Sequence, residues 1–268
     1  MKFSIQREDI LKPLQAISGV VERRQTLPVL SNVLLNIDNS SLMLSGTDLE
    51  VELKVETPVD ATVTGDITLP ARKFLDICRA LPDGANIEIS IDGERANLRS
   101  GKSRFTLSTL PASEFPNMES VQGLTEFSIA QSSLKELIEK TQFSMAQQDV
   151  RYYLNGLMLE ISNDTLRSVA TDGHRLALCE MPCNIDTSET RQIIIPRKGV
   201  GELSRLLDDS DTEVHVRIGT NHIRVSLPNF TFTSKLIDGR FPDYQRVVPQ
   251  DCDKAAIADR DIIRSSLT

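Results

Sequence analysis

The chain reads as an α+β protein assembled from repeated β-α-β-β-β units. Three observations predict this. Apolar residues switch repeatedly between a period of two and a helical period; the order strand, helix, three strands occurs twice before Pro111; and short motifs of the first half return in the second at a near-constant offset.

Lys2–Gln6 reads as a strand, after which Ile10, Leu11, Leu14, Ile17 and Val21 fall at helical spacing, with Pro13 expected near the first turn. Apolar runs Val29–Ile37, Leu42–Ser45 and Val51–Val55, separated by turn residues, read as three strands. Ile67–Leu69 is the next strand. Pro70 suits a helix start, and Phe74, Ile77, Cys78 and Leu81 form its apolar stripe. Ile87, Ile89 and Ile91 alternate up to the hairpin dipeptide Asp92-Gly93, and Ala96–Arg99 and Arg104–Leu110 complete the second unit.

The longer period then appears. Phe3 recurs as Phe127 (offset 124), Asn32 as Asn155 (123), Thr47-Asp48 as Thr171-Asp172 (124), Arg72-Lys73 as Arg197-Lys198 (125) and Phe115-Pro116 as Phe241-Pro242 (126). Small loop insertions absorb that drift. In the second copy Ser133-x-x-Glu136 reads as a capping box opening a helix through Leu134, Leu137, Ile138, Thr141 and Met145, and a later helix runs from Arg197 to Leu207. A third copy begins at Ala256–Asp259, followed by Ile262-Ile263 and Leu267. The domains expected are therefore 1–122, 123–250 and the start of a truncated third over 251–268, so the chain is expected to be a fragment.

Composition bounds the function. The 268 residues hold 40% apolar residues, 4% aromatics and no Trp, so the cores must be aliphatic and disorder is not expected. The start has no apolar h-region and no run approaches a membrane span, so the chain is expected to be cytoplasmic. Four scattered cysteines, Cys78, Cys179, Cys183 and Cys252, offer neither a disulfide framework nor a zinc site, and no cofactor or metal is expected. A net charge of −8 argues against tight DNA binding by the whole surface, which makes the placement of cations informative.

Three patterns imitate active sites. Ala96–Ser103, with Gly101-Lys102-Ser103, satisfies a relaxed phosphate-loop pattern, but a strand follows where a helix N-terminus is needed, so a hairpin turn is expected. Asp172 and His174 could serve a hydrolase, yet no nucleophile elbow or catalytic cysteine context accompanies them, and no catalytic residue is assigned. Cys179-x-x-x-Cys183 lacks further ligands and is expected in a loop after a strand. Leu49 of the first copy stands where Gly173 stands in the second, which suits a turn adapted for access.

The cations carry a stronger signal. Arg72-Lys73 and Arg197-Lys198 both occupy the first turn of an expected helix, where the macrodipole disfavours positive charge by about 0.3–1 kcal/mol. Stability does not explain that choice, and Arg79 and Arg205, seven residues beyond Arg72 and Lys198, extend the same faces; this suggests contact with a polyanion, the alternative being that exposed Arg and Lys tolerate the cost. Arg23-Arg24, and Gln147-Gln148 with Arg151, Tyr152 and Tyr153 in the second copy, can donate hydrogen bonds to phosphate without reading bases. One of the two tyrosines is expected to be buried in a strand.

These stretches resemble a known family, the bacterial sliding clamp or beta subunit of DNA polymerase III. The resemblance is carried by Leu27–Asn32, Leu69–Phe74, Gln148–Gly156, Val169–Leu176 and Gly239–Tyr244, and covers the whole chain. It implies three such domains per family chain, two chains closing head to tail into a ring, helices on the inner face and sheet outside. Arg24, Arg72, Arg79, Gln148, Arg197, Lys198 and Arg205 match its DNA-facing positions, with Lys73, Tyr152 and Tyr153 beside them. It further implies a pocket for short linear motifs of the replicative polymerase, clamp loader and repair proteins, lined by Leu154, Thr171, Gly173, His174, Arg175, Leu176, Pro242, Arg246 and Val247. The implied function is a DNA-tethering processivity factor around double-stranded DNA, without base preference. Family pockets and rings are completed by the third domain, so this chain is expected not to close the usual two-chain ring and to bind motif peptides weakly. The alternatives are a docking module that does not enclose DNA and, more remotely, the hydrolase.

Overall fold

The computed structural model describes residues 1–21, 27–38, 40–118, 124–187, 189–249 and 252–267. Strand β1 (Lys2–Gln6) and helix α1 (Arg7–Val20) lead into β2 (Asn32–Ile37), β3 (Ser41–Thr47) and β4 (Val51–Pro58), the first β-α-β-β-β unit. A short added strand, β5 (Asp60–Val63), precedes the second unit: β6 (Gly65–Pro70), α2 (Ala71–Ala80), β7 (Asn86–Asp92), β8 (Arg95–Ser100) and β9 (Ser103–Ser108). The third is β10 (Thr125–Ala130), α3 (Gln131–Glu139), β11 (Gly156–Ile161), β12 (Thr165–Thr171) and β13 (Leu176–Pro182). The fourth is β14 (Arg191–Pro196), α4 (Arg197–Leu206), β15 (Glu213–Ile218), β16 (His222–Ser226) and β17 (Phe230–Lys235); helix α5 (Arg260–Leu267) follows.

The units interlock in pairs by exchanging first strands. β1 edges β7-β8-β9 while β6 edges β2-β3-β4, and β10 edges β15-β16-β17 while β14 edges β11-β12-β13. All the ladders are antiparallel. β4 then pairs with β17, Val51 opposite Ser234 through Val55 opposite Phe230, which fuses two four-stranded sheets into one of eight. β9 and β13 end their sheets as edges among the described residues.

Helices line one side. α1 packs on α2 and on α4, and α4 packs on α3, giving a layer in the order α2-α1-α4-α3. Each helix buries the stripe its period predicts: Ile10, Leu14 and Ile17 on α1, Phe74 and Cys78 on α2, Leu134 and Leu137 on α3, Val200 and Leu203 on α4. Each large aliphatic side chain so buried contributes about 1.5–3 kcal/mol.

Several local expectations change. Pro13 lies in the middle of α1, not near its first turn. Its missing N–H would have bonded the Asp9 carbonyl, and the Thr57 hydroxyl of β4 donates to that carbonyl instead, at 3.3 Å. Helix α3 begins at Gln131, so Ser133 is inside it and forms no capping box. The free donors of its first turn are met by the chain before β15, Gln131 N to Thr212 O at 2.9 Å and Ser132 N to Ser210 O at 3.0 Å. α3 also stops at Glu139, leaving Thr141 and Met145 outside it, and Pro28–Ser31 is a 3-10 turn ahead of β2. Cys179 lies within β13, and Ala256–Asp259 forms no strand. The Gly101 segment is the hairpin turn between β8 and β9, with Gly101 at φ 54°. No helix among the described residues is long and apolar enough to cross a membrane.

Candidate functional site

The expected cations part company. Arg72, Lys73 and Arg79 are exposed on α2, beside a cleft of about 540 Å³ that also touches Ser18 and Val21 of the α1 end. Of their repeat equivalents on α4, Lys198 and Arg205 turn to the junction between the two pairs of units. Lys198 Nζ lies 2.5 Å from the buried Asp48 carboxylate and 3.5 Å from the Val20 carbonyl. Arg205 donates to the Ala16 carbonyl of α1 at 2.8 Å and to Glu202 at 2.5 Å. Arg197 is half-buried, donating to the Met145 carbonyl at 3.1 Å. Arg24 lies outside the described residues.

A clipped loop sits next to Arg197. Asn155 accepts from Asp149 N and returns a bond to the Asp149 carbonyl, both at 2.9 Å, while its own carbonyl accepts Arg197 N. Arg151 grips the Asp149 carboxylate through Nε and a terminal nitrogen, and that side-chain pairing, with the Arg151 backbone N–H, lowers the Asp149 pKa to about 2. Arg151 is thus engaged in holding the loop. Gln148 is exposed at its apex, with φ 55°. Tyr152 and Tyr153 stand in a 3-10 turn, not the expected strand; Tyr152 is exposed, and Tyr153 is half-buried against the outer cluster described below.

The Thr-Asp echo is the same turn built twice. Thr47 Oγ1 donates to the Val51 carbonyl at 2.8 Å, and Asp48 Oδ1 accepts Glu50 N and Val51 N. In the second copy Thr171 Oγ1 donates to the Arg175 carbonyl at 2.7 Å, and Asp172 Oδ1 accepts His174 N and Arg175 N. Those backbone donors hold the Asp172 carboxyl below the usual range. The carboxylate that resembled a catalytic acid is a turn cap. Leu49 and Gly173 both adopt a left-handed φ, 77° and 89°, so the glycine is not there for the bend alone; a Cβ on Gly173 would come within 3.1 Å of the Arg151 guanidinium.

On the outer face of the β14-β11-β12-β13 sheet, the side away from the helices, Met158, Val169 and Ile194 form a small apolar cluster with Phe241 and Tyr244, and Leu176 packs on its margin. This brings the 171–176 turn and the 241–247 segment together. Gly173, His174 and Arg175 are exposed, and Thr171 and Leu176 half-buried. Arg175 donates to the Phe143 carbonyl at 2.7 Å and stands over its ring, 5.7 Å from the centroid. Pro242 and Val247 are exposed on the other wall, and Arg246 pairs with Asp243 at 2.7 Å. Leu154 is buried at the end of the 3-10 turn that carries Tyr153. The arrangement is an apolar patch flanked by guanidinium groups, a surface on which an extended peptide could dock its apolar side chains.

Comparison with known proteins decides the family. Residues 1–119 match the N-terminal domain of the DNA polymerase III beta subunit, and residues 128–243 match its central domain. The chain belongs to the DNA polymerase III beta subunit, or sliding-clamp, family. The beta sliding clamp of Pseudomonas aeruginosa is 55% identical over 269 residues, covering all of this chain and 73% of its own length. That of Escherichia coli is 52% identical over 267 residues, with 99% and 73% covered. A crystal structure of the Pseudomonas aeruginosa clamp bound to griselimycin superposes with a TM-score of 0.96 at 56% identity, covering 99% of this chain and 72% of that one.

Two features beside the apolar cluster were not apparent from sequence. Phe143, exposed and held under Arg175, carries no motif. Glu160, Arg167 and Glu180 stand seven and thirteen residues apart in a pattern that only strand register converts into one row. The single charged residue in each of β11, β12 and β13 was the available signal.

Proposed function

We propose that the chain works as a non-enzymatic tether that takes part in a ring around duplex DNA and holds replication proteins through its outer groove. The observation that carries this is the β4–β17 junction. By the internal duplication β13 corresponds to β4 and β9 to β17, so among the described residues there is one finished head-to-tail joint and an unpaired half of that joint at each of the sheet edges β9 and β13. Head-to-tail joints generate rings when their rotation closes. The family matches over 1–119 and 128–243 and the strand exchange within each pair of units support domains 1–122 and 123–250, and 251–268 is read as the start of a third.

The α2-α1-α4-α3 layer is the DNA-facing wall in this reading. Arg72, Lys73, Arg79, Arg197, Gln148 and Tyr152 supply phosphate contacts, joined by Arg24 and Tyr153; Lys198 and Arg205 share their charge between DNA and the junction. Such contacts are individually weak and independent of sequence, which lets a topologically closed ring slide. The groove of Leu154, Thr171, Gly173, His174, Arg175, Leu176, Pro242, Arg246 and Val247 takes a partner's apolar side chains, with the polymerase and clamp loader as partners in the cytoplasm. The test is retention on nicked circular plasmid, after loading by the family's clamp loader, of these two domains carried in a chain extended by a family third domain. Retention that disappears on linearising the plasmid supports enclosure; equal retention on linear DNA, or none with intact peptide binding, overturns it in favour of a docking module.

A further inference from the structure

The groove's second wall is a loop segment, and a polar row on the sheet beneath it holds that segment in place. In register across β14, β11, β12 and β13 stand Gln192, Glu160, Arg167 and Glu180. Arg167 lies between two carboxylates, 2.6 Å from Glu160 and 2.7 Å from Glu180. Gln192 donates to the other Glu160 oxygen at 2.7 Å. The Tyr244 hydroxyl closes the network: it accepts from Arg167 at 2.7 Å and donates to Glu160 Oε1 at 3.1 Å. Its ring meanwhile belongs to the apolar cluster with Met158, Val169, Ile194 and Phe241.

Two neighbouring rows of the sheet therefore grip one residue, the apolar row by its ring and the polar row by its hydroxyl. Tyr244 opens the 3-10 turn Tyr244–Arg246, and its carbonyl accepts Val247 N at 3.1 Å. Pro242, Arg246 and Val247 themselves are exposed, so their positions depend on Phe241 and Tyr244. An Arg hydrogen-bonded on both sides has a fixed guanidinium plane, which fixes the hydroxyl laterally as a single ion pair would not.

We propose that Arg167 and Glu160 are positioning residues for the motif groove, acting through the Tyr244 hydroxyl to hold the Pro242–Val247 wall at the height a peptide needs. This rests on the groove being a peptide site. Neither residue is placed among the groove's lining.

The experiment compares the unmodified chain with Tyr244→Phe, Arg167→Lys and Glu160→Gln. Fluorescence polarisation with a labelled ten-residue peptide ending in Leu-Phe reads affinity, hydrogen exchange reads the 243–247 amides, and thermal unfolding reads global stability. Tyr244→Phe keeps the ring and loses only the hydroxyl, so it is expected to weaken peptide binding about fivefold and to speed exchange at 243–247 by a similar factor. Amides of β11 and β12 should be unaffected. Arg167→Lys retains the charge but not the bridge, and should reproduce the Tyr244→Phe effect without adding to it in the double variant. Unchanged exchange at 243–247 in Tyr244→Phe overturns the proposal, as does additive behaviour of the pair. Should the unmodified chain fail to bind the peptide while exchange responds as described, the peptide-site reading fails and the anchoring role stands.

Discussion

Replacing Lys198 by Met separates a cation that pairs across the junction from an exposed one, both in the first turn of a repeated helix. Lys198 and Lys73 both follow an arginine in the first turn of a helix that leaves a Pro-terminated strand. Lys73 is exposed, whereas Lys198 faces an Asp48 whose side chain is only 4% exposed, at 2.5 Å. Removing one partner of a fully buried pair costs about 3–5 kcal/mol. Here the Lys198 side chain is 28% exposed, and Asp48 Oδ1 keeps its bonds to Glu50 N and Val51 N, so solvent and the turn offset part of the loss. About 2 kcal/mol is expected, or about 4–8 °C in the melting temperature of a chain this size. Urea unfolding followed by circular dichroism measures it. With Asp48→Asn, which preserves the turn's acceptor oxygen, the double variant should cost less than the sum of the two single changes. Lys73→Met should lie within about 0.5 kcal/mol of the unmodified chain. A Lys198→Met variant as stable as Lys73→Met would refute the ion-pair account of the junction.

Three other outcomes follow from the same structure. Thr57→Val leaves the Asp9 carbonyl opposite Pro13 without its donor and should destabilise the chain by about 1 kcal/mol in thermal unfolding; no change would mean that water replaces the hydroxyl freely. The Asp149 and Asp172 carboxyls are both depressed in the folded chain, Asp149 to about 2 through Arg151. Their contribution is therefore fully present above the unfolded carboxylate range near 4 and is lost as pH falls toward 2, so Asp149→Asn should flatten the melting temperature between about pH 4 and 2. Burial pushes the Cys78 thiol up to about 12, while Cys252 is exposed. A thiol reagent at pH 8 should label Cys252 promptly and Cys78 only on unfolding; fast labelling of Cys78 in the folded chain would show that α2 opens readily.

Much of the fold was legible because it is written in local patterns. Apolar stripes at helical spacing mark α1, α2 and α4, Asp92-Gly93 marks the β7–β8 turn, and the offset near 124 marks the duplication. The errors fall where a contact distant in sequence replaces a local rule. Pro13 is tolerated in mid-helix because Thr57 replaces the donor it lacks, and α3 needs no capping box because Ser210 and Thr212 carbonyls meet its first donors. The site divides in the same way. The sequence alone determines the Thr-Asp turns, since each is closed by bonds spanning at most four residues, and it places cations at two helix starts. Only tertiary structure decides that Lys73 faces out while Lys198 holds a junction, because that depends on β4 meeting β17 across some 180 residues of chain. Strand register likewise makes one row of Glu160, Arg167 and Glu180 and lays Tyr244 over it. Spacing along a chain constrains neighbours within a turn or a strand; which faces meet is set by the cooperative packing of whole sheets, where burial of many side chains outweighs any single preference.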